Sequence, residues 1–311
     1  DAGRVYDRIH QTLTEQPAGA DVFTERHGLS GTTPEACCAV VANMAHAHMV
    51  YRRFPSQAGF AGQCLDDALL CWERLRNLEE PPVRPAFTAA ALMFEATGRE
   101  DTHAMVRELA PEILSTWHGH INYGNYDAGL ATYALSERDE VDPDLQAELR
   151  GYYRDYADAV VKASQANGYR EPMIEGVVFT WGSNGSCIAK SGAHLLMVNR
   201  FAPDPRYVET ARESLHWLLG RNPVDTCMVT GHGRPPLGPI FHAMYGPSGP
   251  GLAMPPGYLA GGPTNLECPG ISRHPAKCWR PDHACWELTE PSLGYQGNLN
   301  YLLGALTASP Q

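Results

Sequence analysis

The chain has 311 residues, with 35 Asp and Glu against 24 Lys and Arg, a formal net charge of -11 and 43% hydrophobic residues. That charge argues against a nucleic-acid partner, whose expected footprint is a basic patch. The length and apolar content suffice for a full core in one large domain or two small ones. No apolar run is long enough to span a membrane, and no secretory leader is read within the sequence.

Along the chain, Arg4-Val5-Tyr6 reads as a short strand and residues 17–31 as loop. A helix is then announced by Thr33 at the N-cap, Pro34 in the first turn and Glu35 at the positive end of the dipole. Cys37, Val40, Val41, Met44, His48 and Met49 form its apolar stripe, and Pro55 stops it. Further helices are predicted over 60–78, 85–97 and 101–117, with Pro111 dividing the last in two. A weaker one covers 123–135. Another runs from Asp142-Pro143 to Gly168, with Leu145, Leu149, Tyr152, Tyr153, Tyr156 and Val160 in register. After the apolar run Val177-Val178-Phe179-Thr180-Trp181, helices are expected over 186–199, from Asp204-Pro205 through Leu219, and over 291–306.

About nine helices in pairs with few strands make the class all-α, and the pairing suggests helical hairpins arranged as a toroid with a cleft built by loops at one end. Residues 1–311 are read as a single domain. Between the last two helices lies a Gly- and Pro-rich stretch over 220–290, and loops of this length inside a domain are usually functional.

Nine cysteines are present, with no CxxC pair. Buried thiols are the plain reading, and Cys64 and Cys71 share a helix face. Cys268, Cys278 and Cys285 in the long loop leave a disulfide or a metal open. His46 and His48 lie two apart on a helix and do not face each other, so no metal pair is expected there. P-loop, dinucleotide and GxSxG motifs are absent, and the expectation is a protein with no cofactor and no metal.

Glu290, before Pro291, reads either as a carboxylate at a helix start or as a general acid in a cleft. The second role needs surroundings that let the carboxyl hold its proton, which aromatics such as Trp286 and Tyr295 favour; Glu287 competes for it. Trp181, in Trp181-Gly182-Ser183-Asn184, is either a core anchor or a flat platform for a sugar ring. Asn184-Gly185-Ser186 is also a glycosylation sequon. His232 and His242 are either solvent-exposed loop histidines or donors to sugar hydroxyls.

In this order, Phe179 to Asn184, Trp217-Leu218-Leu219-Gly220-Arg221-Asn222-Pro223, Val229-Thr230-Gly231, Pro256-Gly257-Tyr258-Leu259-Ala260-Gly261-Gly262-Pro263 and Trp286 to Leu303 resemble glycoside hydrolase family 9, the inverting cellulases and related glucosidases. The likeness is best to bacterial members with an immunoglobulin-like module ahead of the catalytic domain. The resemblance implies an (α/α)6 barrel and inverting hydrolysis of β-1,4-glucosidic bonds in an oligo- or polysaccharide. Glu290 is then the general acid, from the pattern Trp286-x-x-x-Glu290-x-Ser292. Asp282, His242, Tyr245, Trp181 and Trp286 become substrate-site residues. The Arg that accompanies the family's loop histidine is missing, because the segment reads Phe241-His242-Ala243-Met244-Tyr245.

The family's water-activating aspartates precede the first helix resembled here. Asp1-Ala2-Gly3 looks like them only superficially, since Gly3 to Tyr6 resembles a later family stretch. The expectation is therefore a barrel lacking its N-terminal base-bearing portion, with a further segment or chain completing it; Asp21 and Asp127 are the substitutes that can be named. Two other readings stand beside hydrolysis. One is a carbohydrate-binding or repurposed barrel. The other is a lyase or isomerase, with Tyr245 and His242 as the base pair. A typical member is secreted, whereas the odd cysteine count leaves the cytoplasm open.

Overall fold

The computed structural model describes residues 9–11, 27–29, 33–116, 127–174, 179–242, 245, 252–265 and 271–308. They form two compact units, one holding the described residues up to Tyr152 and the other those from Tyr153 on. The class is all-α, as expected. The strands among the described residues are β1 (Ile9–Gln11) and β2 (His27–Leu29), an antiparallel pair with Ile9 opposite Leu29. The strand expected at Arg4-Val5-Tyr6 lies outside the described residues.

In the first unit, α1 (Pro34–Tyr51) begins as its sequence dictates: the Thr33 Oγ1 accepts the N–H of Ala36 at 3.1 Å. It packs on α2 (Ala58–Leu75) and α3 (Val83–Thr97). Helix α3 is buried nearly all round, with Ala86, Ala89, Ala90 and Ala91 at 0% exposure. These small side chains let its neighbours approach closely. A Cβ on Gly129, in α5 (Asp127–Leu135), would come within 2.7 Å of the Thr88 Cα. Gly98 ends α3 in the left-handed region at φ 68°, donating its N–H to the Phe94 carbonyl at 2.7 Å.

Pro111 does not divide α4, which runs unbroken over Glu100–Thr116. The residues around it explain this: Val106, Ala110 and Ile113 are all buried on one face, and that packing holds both sides of the proline in line. Asp101 anchors the helix to α2 by accepting the Trp72 indole N–H at 2.9 Å; the Arg99 guanidinium beside it holds its carboxyl well below the usual range. His48 binds the Ala61 carbonyl through Nδ1 at 2.9 Å.

Helix α6 (Pro143–Ala166) runs across the boundary at Tyr152. The second unit is built on α7 (Lys190–Val198), α8 (Pro205–Leu218) and α10 (Leu293–Ala308), which pack on one another. The helix expected from residue 186 differs at its start. Asn184–Ala189 is a wide turn of π-helix that leads into α7. A four-residue helix, α9 (Trp286–Thr289), stands just before the expected last helix.

His194 on α7 lies edge-on to the rings of Tyr153 and Tyr156, with centroids 6.2 and 6.3 Å away. Its Nδ1 is buried without a hydrogen-bond partner. Burial, with the Lys190 ammonium adding to it, pushes the imidazole down to about 3 from an ordinary 6.5. The unfolded chain takes up a proton on this ring first, so stability is lost as the pH falls from 6.5 towards 3, by at most about 1.4 kcal/mol per pH unit. His194→Gln is therefore expected to flatten the decline in unfolding free energy on the acid side of pH 6.5, read by urea titration at a series of pH values. An identical acid dependence in the variant would count against this burial term.

Candidate active site

The site is assembled from the long loop, and the loop is ordered by a few side chains. Asn222 is the first. It is buried; its Nδ2 donates to the carbonyls of Trp217 and Thr226, both at 2.8 Å, and its Oδ1 accepts from the N–H of Val224 (3.2 Å) and Thr226 (3.3 Å). One amide therefore closes α8 and turns the chain, which is why an Asn follows the helix in Gly220-Arg221-Asn222-Pro223. The chain then runs alongside residues 257–260. Ala260 donates to the Met228 carbonyl at 3.0 Å and Thr230 to the Tyr258 carbonyl at 2.9 Å. The Thr230 hydroxyl donates to the Pro255 carbonyl at 2.7 Å and accepts the Tyr258 N–H at 2.9 Å.

The two glycines at 261 and 262 make the next junction. Asn184 donates its backbone N–H to the Gly261 carbonyl and its Nδ2 to the Ala260 carbonyl, each at 2.9 Å. Ser183 Oγ donates to the Pro263 carbonyl at 2.5 Å. Gly262, at φ +108°, turns so closely over this contact that a Cβ there would lie 2.5 Å from the Asn184 Cγ. Its N–H donates to the Leu288 carbonyl at 2.8 Å, which also accepts the Trp279 indole N–H at 3.0 Å. Asn184 is fully buried in this junction, so the sequon beginning there has no surface position for a glycan.

The carboxylate-bearing end hangs on that same carbonyl. Thr289 is fully buried; its hydroxyl reaches the Asp282 and Cys285 carbonyls at 3.1 and 3.0 Å and accepts the Phe241 N–H at 3.0 Å. Glu290 follows in extended geometry (φ -61°, ψ 125°), its N–H on the Trp286 carbonyl at 2.9 Å, and is half-buried. It thus closes the end of α9, and the next helix, α10, begins at Leu293.

Tyr295 stands on the first turn of α10. Its side chain lies against Gly182 and Gly185, where a Cβ would meet the Tyr295 hydroxyl at 1.9 Å and its Cβ at 2.2 Å, respectively. Burial pushes its phenol up, and the Glu290 carboxylate adds to that rise. Tyr295 therefore ties the carboxylate end to the turn that carries Trp181.

The sequence candidates fall into two aromatic groups. Trp181 and Trp286 meet edge to face at 4.8 Å and 69°, with 44% and 38% of their surface exposed, so neither is a core anchor. His242 lies 4.6 Å from Tyr245 and 5.7 Å from Tyr258, measured between ring centroids. Burial pushes the His242 imidazole down, so it is neutral at pH 7 and offers both a donor and an acceptor. The Phe241 N–H bound to Thr289 links this second group to α9. Asp282 is used locally: Oδ1 accepts the Ala284 N–H at 3.0 Å and Oδ2 pairs with Arg280 at 3.0 Å, and that backbone bond, with Arg280, lowers its carboxyl. Glu287, the competing acid, accepts from the Cys285 thiol at 3.5 Å.

One residue escaped the sequence candidates. Tyr258 was legible only as part of a loop motif, and its ring contacts appear once 229–230 pairs with 258–260. Tyr295, the aromatic expected near Glu290, packs where the glycines at 182 and 185 leave room for its side chain. Among the described residues, no group of three or more His, Cys, Asp or Glu is placed to hold a metal ion. Cys278 and Cys285 are thiols, while Cys268 and Asp21 lie outside the described residues, as does the side chain of Asp127.

A match over residues 10–303 places the chain in glycosyl hydrolase family 9, and it belongs to that family. It is 29% identical over 282 residues to Endoglucanase D of Acetivibrio thermocellus, covering 84% of this chain and 44% of the relative. It is 24% identical to a cellodextrinase of Butyrivibrio fibrisolvens, covering 87% of this chain and 55% of that one. The chain thus spans about half the length of these curated relatives. Among solved structures, a metagenome-derived family 9 endoglucanase superposes with a TM-score of 0.83 at 23% identity, over 99% of this chain and 58% of that one. The endoglucanase of the termite Nasutitermes takasagoensis gives 0.76 at 16% identity, over 97% and 73%. These likenesses carry the fold, the all-α (α/α)6 barrel class expected from the sequence.

Proposed function

We propose that this chain is the acid-bearing part of an inverting β-1,4-glucan hydrolase. Glu290 gives its proton to the glycosidic oxygen as the bond breaks. Trp181 and Trp286 carry a glucosyl ring on their apolar faces, and His242, Tyr245 and Tyr258 contact hydroxyls of a neighbouring unit. Asp282 acts through structure, bracing the turn before α9. The carrying observation is the seat of Glu290: it follows a short helix that bears Trp286, beside Tyr295, which rests on the Trp181 turn.

Inversion needs a second carboxylate that activates water on the opposite face of the sugar, roughly 6.5–9.5 Å from the acid. The family resemblance assigns that task to aspartates in a part of the catalytic domain that this sequence does not span. The whole catalytic domain, with residues 1–311 as one piece of it, is therefore the hydrolytic unit. No cofactor enters the mechanism.

The test is hydrolysis of a set of β-1,4-gluco-oligosaccharides followed by proton NMR of the first product. The α-anomer is expected to appear before mutarotation. A β-anomer would end the inverting mechanism, and an unsaturated product would move the protein to the lyase class.

A further inference from the structure

We infer that Cys37 and Cys71 are a disulfide-forming pair that cross-links α1 to α2 when a small hydroperoxide reaches them.

The two helices run antiparallel, and their contacts step in opposite directions: His48 reaches the Ala61 carbonyl at 2.9 Å, and the Cys37 thiol reaches the Cys71 carbonyl at 3.3 Å. Cys37 and Cys71 are therefore directly opposed, with the Cys37 thiol donating to the Cys71 backbone carbonyl. Cys37 lies in the first turns of α1, at the positive end of the helix, which favours a thiolate. Its thiol is lowered, chiefly by its interaction with the Cys71 side chain, while the same interaction and burial raise Cys71. Cys38 is adjacent in sequence but burial pushes it up to about 12, so it does not compete as the nucleophile. Cys37 keeps 8% exposure against 1% for Cys38, an opening that suits only a small oxidant.

The chemistry balances with hydrogen peroxide as oxidant. The Cys37 thiolate attacks one peroxide oxygen; an S–O bond forms, the O–O bond breaks and hydroxide leaves. Cys71 gives its proton to that hydroxide and attacks the Cys37 sulfur; the S–S bond forms, the S–O bond breaks, and the second oxygen leaves as water with a solvent proton. Two thiols lose two hydrogens and the peroxide becomes two waters. The link closes a loop across a sequence separation of 34 residues in the first unit.

The test treats the full chain with hydrogen peroxide and maps its peptides without reduction. A single linked peptide pair joining Cys37 to Cys71, lighter by two hydrogens, is expected, with a melting temperature raised by about 5–10 °C. Cys37→Ser and Cys71→Ser should each abolish both changes, and Cys38→Ser should leave both in place. Recovery of the two cysteines on separate peptides, as thiols or as sulfinic acids, overturns the inference, as does a link made from Cys38. The wild-type map alone decides if a variant fails to fold.

Discussion

Glu290→Gln is expected to lower hydrolysis of an unactivated β-1,4-glucan by at least about 100-fold, while the affinity for an oligosaccharide stays unchanged. Glutamine keeps the size and most of the hydrogen bonding of the carboxyl but has no proton to give. The seat of the side chain is set by the backbone, through the Glu290 N–H on Trp286 and the buried Thr289 hydroxyl, so the substitution leaves that seat intact. The loss should shrink with an aryl glycoside whose leaving group departs without a proton, because the acid is then not needed. Near wild-type turnover of the unactivated glucan would end the assignment. Equal losses on both substrates would make Glu290 a structural residue. Steady-state rates on the two substrates, with a thermal unfolding scan of each protein, separate these outcomes.

Gly185→Ala is expected to destabilise the second unit by about 2–3 kcal/mol and to disturb the site with it. A Cβ at Gly185 would lie 2.2 Å from the Tyr295 Cβ and 2.5 Å from its Cα, so the obstacle is helix backbone and not a side-chain end that can swing away. The start of α10 would have to lift, taking Tyr295 from beside Glu290. Gly297, three residues after Gly294 on the same helix, has no atom within 4 Å of an added Cβ. Gly297→Ala should therefore act in the other direction and stabilise by about 0.5–1 kcal/mol. Urea unfolding of the two variants beside the parent reads both. A Gly185→Ala protein as stable as the parent would mean that α10 does not lie against this turn.

Much of the helical frame was legible because its signals are local. Thr33-Pro34-Glu35 starts α1 by hydrogen-bonding and charge rules that operate within one turn, and Gly98 stops α3 by a backbone angle open to glycine. Pro111 misled for the converse reason: the local rule predicts a break, and the burial of Val106, Ala110 and Ile113 overrides it. The long loop was recognisable only as a run of motifs. Its order comes from bonds between distant residues, such as Ser183 to Pro263 and Asn184 to Ala260, which no periodicity announces.

By itself the sequence determined the all-α class, the helix caps and the membership of Glu290 in a family motif, since each depends on residue types at fixed short spacings. Tertiary structure set the extended backbone of Glu290 between α9 and α10. Tertiary structure also exposed Trp181 and Trp286 together and brought Tyr258 to His242 and Tyr295 to the carboxylate end. The physical reason is the glycines: where Gly182, Gly185 and Gly262 carry no side chain, segments far apart in sequence approach to contact, and what fills that space is set by the fold as a whole.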